Sequence, residues 1–124
     1  MRTITLPILL PTLNEYILQC RANAFAGASL KKKAQALIVQ YIANQKSIDI
    51  PKGYKLKVSI KWVRDNKRID PDNIAFAKKF ILDAFTCAKI IPNDSFKYIG
   101  AFEDSFGVGD PRIEITLSLY KYEP

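Results

Sequence analysis

Three observations on this 124-residue chain predict an α+β fold, one small mixed sheet packed with helices in the order β-α-α-β-α-β-β. Residues 55–63 alternate strictly, with Leu56, Val58, Ile60 and Trp62 on one face and Lys55, Lys57, Ser59 and Lys61 on the other. Two stretches, 30–42 and 74–88, repeat apolar residues at the spacing of one buried helix face. Two further apolar runs near the C-terminus are separated by Gly107-Val108-Gly109-Asp110-Pro111. A chain of this length buries roughly two thirds of its unfolded surface in a single core, so residues 1–124 are read as one domain.

Taken in order, residues 3–10 read as a short strand closed by Pro11 and Thr12. Asn14, Glu15 and the Ile17/Cys20/Arg21 spacing mark a helix start, and Gly27 breaks or kinks the chain after it. Ser29 then suits the N-cap of a second helix, with Leu30, Ala34, Leu37, Ile38, Tyr41 and Ile42 inward. Its first turn would be Lys31, Lys32 and Lys33, which oppose the helix dipole; the helix begins earlier, the lysines serve a partner, or they form a solvated, mildly frustrated turn. After the alternating strand, residues 64–71 form a loop and residues 73–89 a third helix, with Ile74, Ala77, Ile81, Ala84, Phe85 and Ala88 as its buried stripe. Residues 96–102 and 113–120 are the last two strands, expected to pair as a hairpin.

Composition narrows the chemistry. The chain has 19 Lys plus Arg, 12 Asp plus Glu and no His, a net charge of +7. Without His it can build no Ser-His-Asp triad, no Cys-His pair and no imidazole base, leaving carboxylates, Lys or a hard metal. Its charge is unevenly placed: residues 1–30 carry a net +1, residues 31–68 hold eleven basic and two acidic residues, and residues 69–124 carry a net −3. The basic middle third is the footprint of a polyanion site, and the lysine face of the alternating strand would meet a phosphate backbone. The plain alternative is an edge strand kept from aggregating by lysines. Cys20 and Cys87 lie far apart with no metal-binding spacing, which suits a reduced, cytoplasmic protein. The apolar run 4–10, broken by Pro7, is neither a signal peptide nor long enough to cross a membrane.

The acidic residues form a pattern: Arg68-Ile69-Asp70-Pro71-Asp72-Asn73, then Lys78-Lys79, Asp83 and Asn93-Asp94. Pro71 holds its neighbours extended or turned, so the Asp70 and Asp72 carboxylates can converge on a hard cation such as Mg²⁺ or Mn²⁺, with Asp94 as a third ligand. Asp72 is also a natural helix N-cap. At 100° per residue, Lys79 lies about 20° short of two turns from Asp72 and Asp83 about 20° past three, whereas Lys78 points about 120° away. Lys79 is therefore the better candidate of the two lysines, with an ordinary i,i+4 surface pair to Asp83 as the alternative. Phe76 shares that face and is best read as a core residue.

Arg68-x-Asp70-x-Asp72-Asn73, a Lys in the following helix, Asp83-Ala84-Phe85 and Asn93-Asp94 eleven residues after Asp83 resemble the RusA family of Holliday junction resolvases. Leu10-Pro11-Thr12-Leu13-Asn14-Glu15-Tyr16 is similar to that family's P-P-S-x-N-x-Y opening, and the chain looks most like its phage and prophage members. The resemblance implies a RusA-like fold and a homodimer that nicks opposed strands of a four-way DNA junction in recombination and repair. It implies Asp70, Asp72 and Asp94 as Mg²⁺ ligands, with Mn²⁺ as a substitute, and Lys79 as the catalytic lysine. Asn93 stands where the family has the first residue of an Asp-Asp pair. Lys31, Lys32, Lys33, Lys55, Lys57, Lys61, Arg64, Lys67, Arg68 and Asn73 would then contact DNA. The competing expectations are a non-enzymatic nucleic-acid-binding module and a degenerate homologue that binds junctions without cutting.

Overall fold

A computed structural model describes residues 1–121. Eight elements follow in order: β1 (Arg2–Leu6), α1 (Leu13–Ala22), α2 (Ala26–Ile42), β2 (Tyr54–Arg64), α3 (Pro71–Ala75), α4 (Lys78–Cys87), β3 (Ile99–Val108) and β4 (Arg112–Lys121). The α+β class holds, and the sheet is mixed, with strand order β1-β4-β2-β3. Leu56, Val58, Ile60 and Trp62 of β2 join Ile4 and Leu6 of β1 and Ile113, Ile115 and Leu117 of β4 in one core. The helices cover that face with Ala34, Ile38 and Ile42 of α2 and Phe80, Ile81, Leu82, Ala84 and Phe85 of α4. The opposite face of the sheet carries Lys57, Lys61, Glu103 and Glu114, and among the described residues no helix joins the core from that side.

Several boundaries differ from the sequence reading. β1 ends at Leu6, because Pro7 has no N–H to continue the ladder. Thr12 starts α1 through a capping box: its hydroxyl accepts from the Glu15 N–H at 3.3 Å, and the Glu15 carboxylate accepts from the Thr12 N–H at 3.4 Å. Ser29 is not an N-cap. α2 begins at Ala26, putting Lys31, Lys32 and Lys33 in its second turn, where the dipole has little hold on them. Gly27 therefore does not break the chain; it is buried in the first turn of α2, and a Cβ there would overlap the Cys20 sulfur of α1.

The expected hairpin of the last two strands is also corrected. β2 lies between β3 and β4, parallel to β3 and antiparallel to β4. The parallel pair needs a crossover, and α3 with α4 supplies it. The link of residues 109–111 must then step over the end of β2, a gap of about 10 Å between second-neighbour strands. Gly109 N–H donates to the Arg64 carbonyl at 2.9 Å, fastening the link to the last residue of β2. Hydropathy in each strand allowed either arrangement; only pairing with β2 gives the Val58, Ile60 and Trp62 backbone partners on both sides.

Candidate functional site

The single helix expected over 73–89 is two helices. Around Phe76 and Ala77 the bonding tightens to i→i−3: Ala77 N–H to the Ile74 carbonyl at 3.2 Å, Lys79 to Phe76 at 3.2 Å and Phe80 to Ala77 at 3.0 Å. A 3₁₀ step turns the chain 120° instead of 100°, so three such steps rotate α4 by about 60° relative to a continuous helix. Added to the 20° shortfall of a straight helix, this sets Lys79 about 40° past the direction of Asp72, so the joint shifts their facing relation without reversing it.

Upstream of the joint, Asp70 is the N-cap of α3, Pro71 its first residue and Asp72 lies in its first turn. Neither carboxylate does the capping work that would explain it structurally: Asp70 makes no side-chain cap bond and Asp72 is not the cap. Both are exposed and make no side-chain hydrogen bond or ion pair among the described residues. Asn73 is directed elsewhere, its Oδ1 accepting from the Asn14 N–H at 2.9 Å, which ties α3 to α1. The loop before α3 carries exposed Lys67 and Arg68, and these with Arg64 have no ion-pair partner among the described residues. Arg64 and Lys67 line a cleft of about 370 Å³ with Trp62, Ile69, Pro71 and Phe106.

Downstream of the joint the two lysines diverge. Lys79 Nζ lies 3.3 Å from Asp83 and 3.9 Å from Asp94, and Lys31 of α2 also reaches Asp83 at 3.3 Å. The expected Lys79–Asp83 pair thus forms, with Lys31 and Asp94 added to it; the sequence pattern groups Asp94 with Asp70 and Asp72 instead. Lys78 points to β3, where its Nζ donates to Asp104 Oδ2 at 2.6 Å and sits 4.3 Å from the Phe102 ring centre. The other Asp104 oxygen accepts from Trp62 Nε1 at 2.8 Å. Sequence reasoning missed Asp104, because its partners come from β2 and α4 and no local spacing signals them. Among the described residues, no group of three or more His, Cys, Asp or Glu side chains stands together to hold a metal ion. The unpaired Asp70 and Asp72 still fit the one or two carboxylates that Mg²⁺ takes alongside water and phosphate oxygens; Asp94 is engaged by Lys79.

Of the other basic residues, Lys57 is paired with Glu103 at 2.7 Å, and Lys61 lies opposite Glu114 in the β2/β4 register. The lysine row of β2 is therefore partly balanced by acidic neighbours on the same face, and is less positive than the sequence alone suggested. Lys32 and Lys33 are exposed. Phe76 packs against Tyr16 and Phe80, with ring centres 5.4 and 5.5 Å away, in agreement with its reading as a core residue. The Tyr16 phenol is held above its ordinary pKa, chiefly by a hydrogen bond with Cys20, then by the charge of that thiol, then by burial. Comparison with protein-family models and with curated proteins returns no match for this chain.

Proposed function

We propose that this protein is a Mg²⁺-dependent, structure-selective endodeoxyribonuclease that resolves four-way DNA junctions by paired nicks, acting in recombination and repair in the cytoplasm. The observation that carries the reading is the pair of unneutralised carboxylates, Asp70 and Asp72, opening α3 directly after a loop of unpaired Lys67 and Arg68. Two carboxylates two residues apart, neither with an ion-pair partner among the described residues, can take up a cation that arrives with a phosphate. When bound there, Mg²⁺ or Mn²⁺ supplies Lewis-acid polarisation of the scissile phosphate and a more acidic water.

The remaining work falls to side chains. Arg64, Lys67 and Arg68 hold the phosphates that flank the cut and fix the backbone in register. Lys79, steadied by Asp83 and Asp94, offsets charge that develops on the phosphate or the leaving oxygen. No imidazole is required. Symmetric cutting of a two-fold junction calls for two copies, and a C2 dimer is the economical assembly.

Engagement of Asp94 by Lys79 favours a second reading, a protein that binds nucleic acid or junctions without cutting them. A synthetic four-way junction separates the two. Under the nuclease reading the wild type nicks it in Mg²⁺ or Mn²⁺, and Asp72→Asn abolishes nicking while binding stays equal or tightens. Undiminished cleavage by that variant, or no cleavage by the wild type at any concentration of either metal, overturns the assignment.

A further inference from the structure

At the other end of β2 from Arg64 lies a second surface that the proposed chemistry does not use. The turn Pro51-Lys52-Gly53-Tyr54 is closed by the Tyr54 N–H donating to the Pro51 carbonyl at 3.0 Å, with Gly53 at φ +87°, the left-handed position that a type II turn gives to glycine. It sets Lys52 at a corner and Tyr54 at the start of the strand. Opposite it, the chain entering β3 is folded by the Asn93 side chain, whose Oδ1 accepts from the Ser95 N–H at 2.9 Å, and by the Ser95 carbonyl, which accepts from Tyr98 at 3.0 Å. Phe96, between these bonds, is 91% exposed. The two segments enclose a groove of about 390 Å³ lined by Lys52, Tyr54, Lys55, Lys97 and Tyr98. Lys55 Nζ stands 5.8 Å from the Phe96 ring centre and Lys97 Nζ 5.3 Å from that of Tyr98.

We infer that this groove binds an unpaired stretch of single-stranded DNA, its bases stacking on Phe96 and Tyr54 and its phosphates meeting Lys52 and Lys97. Lysines alone would serve a duplex, whose bases are already stacked on one another. A phenylalanine exposed to this degree beside a lysine-rimmed groove is the pairing that single strands use, because every base has a π-face and every nucleotide a charge. Lys52 and Lys97 make no ion pair among the described residues, so their charge is available to a polyanion. The choice of DNA over RNA rests on the proposed junction nuclease; the groove would hold strand opened near a branch point, away from Asp70 and Asp72.

Binding of the full chain to a fluorescent oligo(dT) and to an abasic strand of the same length, without divalent metal, tests the inference. Phe96→Ala, whose exposure makes it harmless to folding, should weaken oligo(dT) binding about tenfold and change abasic-strand binding less than about twofold. Lys52→Gln combined with Lys97→Gln should reduce the slope of log affinity against log salt by about 1.4, for two lost single-strand phosphate contacts. Absence of wild-type binding to oligo(dT), unchanged affinity in Phe96→Ala, or equal losses on both strands would overturn it. Failure here leaves Asp72-dependent nicking of a junction untouched, and failure of the nuclease reading leaves oligo(dT) binding untouched.

Discussion

Lys78 and Lys79 are neighbours in the chain and opposites in their surroundings. Lys78 is 18% exposed and joined to a half-buried Asp104, so Lys78→Met strips that carboxylate of its cation and should cost about 2 kcal/mol in urea denaturation. Lys79 is 56% exposed, and Lys79→Ala should move stability by less than about 0.5 kcal/mol. Junction nicking should respond in the other order: Lys79→Ala lowers the rate at saturating Mg²⁺ far beyond its effect on stability. Equal losses of rate in the two variants, scaled to their stabilities, would remove Lys79 from the chemistry. Asn93 offers a check on where the cation sits. Its side chain acts here as an acceptor for the Ser95 N–H, a bond that a carboxylate also makes, so Asn93→Asp keeps the turn and adds a second negative charge beside Asp94. With the cation on Asp70 and Asp72, that variant should leave the Mg²⁺ requirement for nicking unchanged; half-maximal nicking at lower Mg²⁺ would bring residues 93–94 into the cation's site.

Within the elements, the α1–α2 corner is held by size and by a cap. Thr12 is 3% exposed and closes the capping box, so Thr12→Ala should cost about 1 kcal/mol, read as a lower thermal midpoint. Gly27→Ala should cost about 1–3 kcal/mol, because its new methyl meets the Cys20 sulfur and the two helices must part. Cys20→Gly in the same chain should return much of that loss, a coupling that a double-mutant cycle measures. The start of α1 near Asn14 and Glu15 was legible, though the capping box with Thr12 went unread; the role of Gly27 was hidden, since a glycine before a helix reads locally as a break. The joint at Phe76 and Ala77 was equally hidden. Its apolar stripe is continuous, and Ile74, Ala77, Ile81, Ala84 and Phe85 are all buried as expected, so periodicity cannot reveal the extra turn. The rotation turns Lys79 by about 60° relative to the helix face of Asp72, and Lys79 meets Asp83 and Asp94.

Across the whole molecule, β2 and β4 are the two strands with neighbours on both sides among the described residues, and the link 109–111 straps β4 to β3 over the end of β2. Amide exchange should therefore be slowest in β2 and in residues 113–117 of β4, and faster along the outward edges of β1 and β3. Protection of β3 equal to that of β2 would instead mark that edge as covered in solution. The same topology puts the loop bearing Lys67, Arg68 and Asp70 at the end of the central strand, between the crossover helices and the link. By itself the sequence determined the α+β class, the inward face of β2 and the grouping of Lys79 with Asp83, because alternation and helical spacing are local consequences of where apolar side chains must go. Only the tertiary structure decided that β3 and β4 flank β2, that Lys78 belongs to Asp104, and that Asp94 meets Lys79 while Asp70 and Asp72 have no ion-pair partner among the described residues. Those contacts join residues tens of positions apart, and their partners are chosen by which surfaces can share one core.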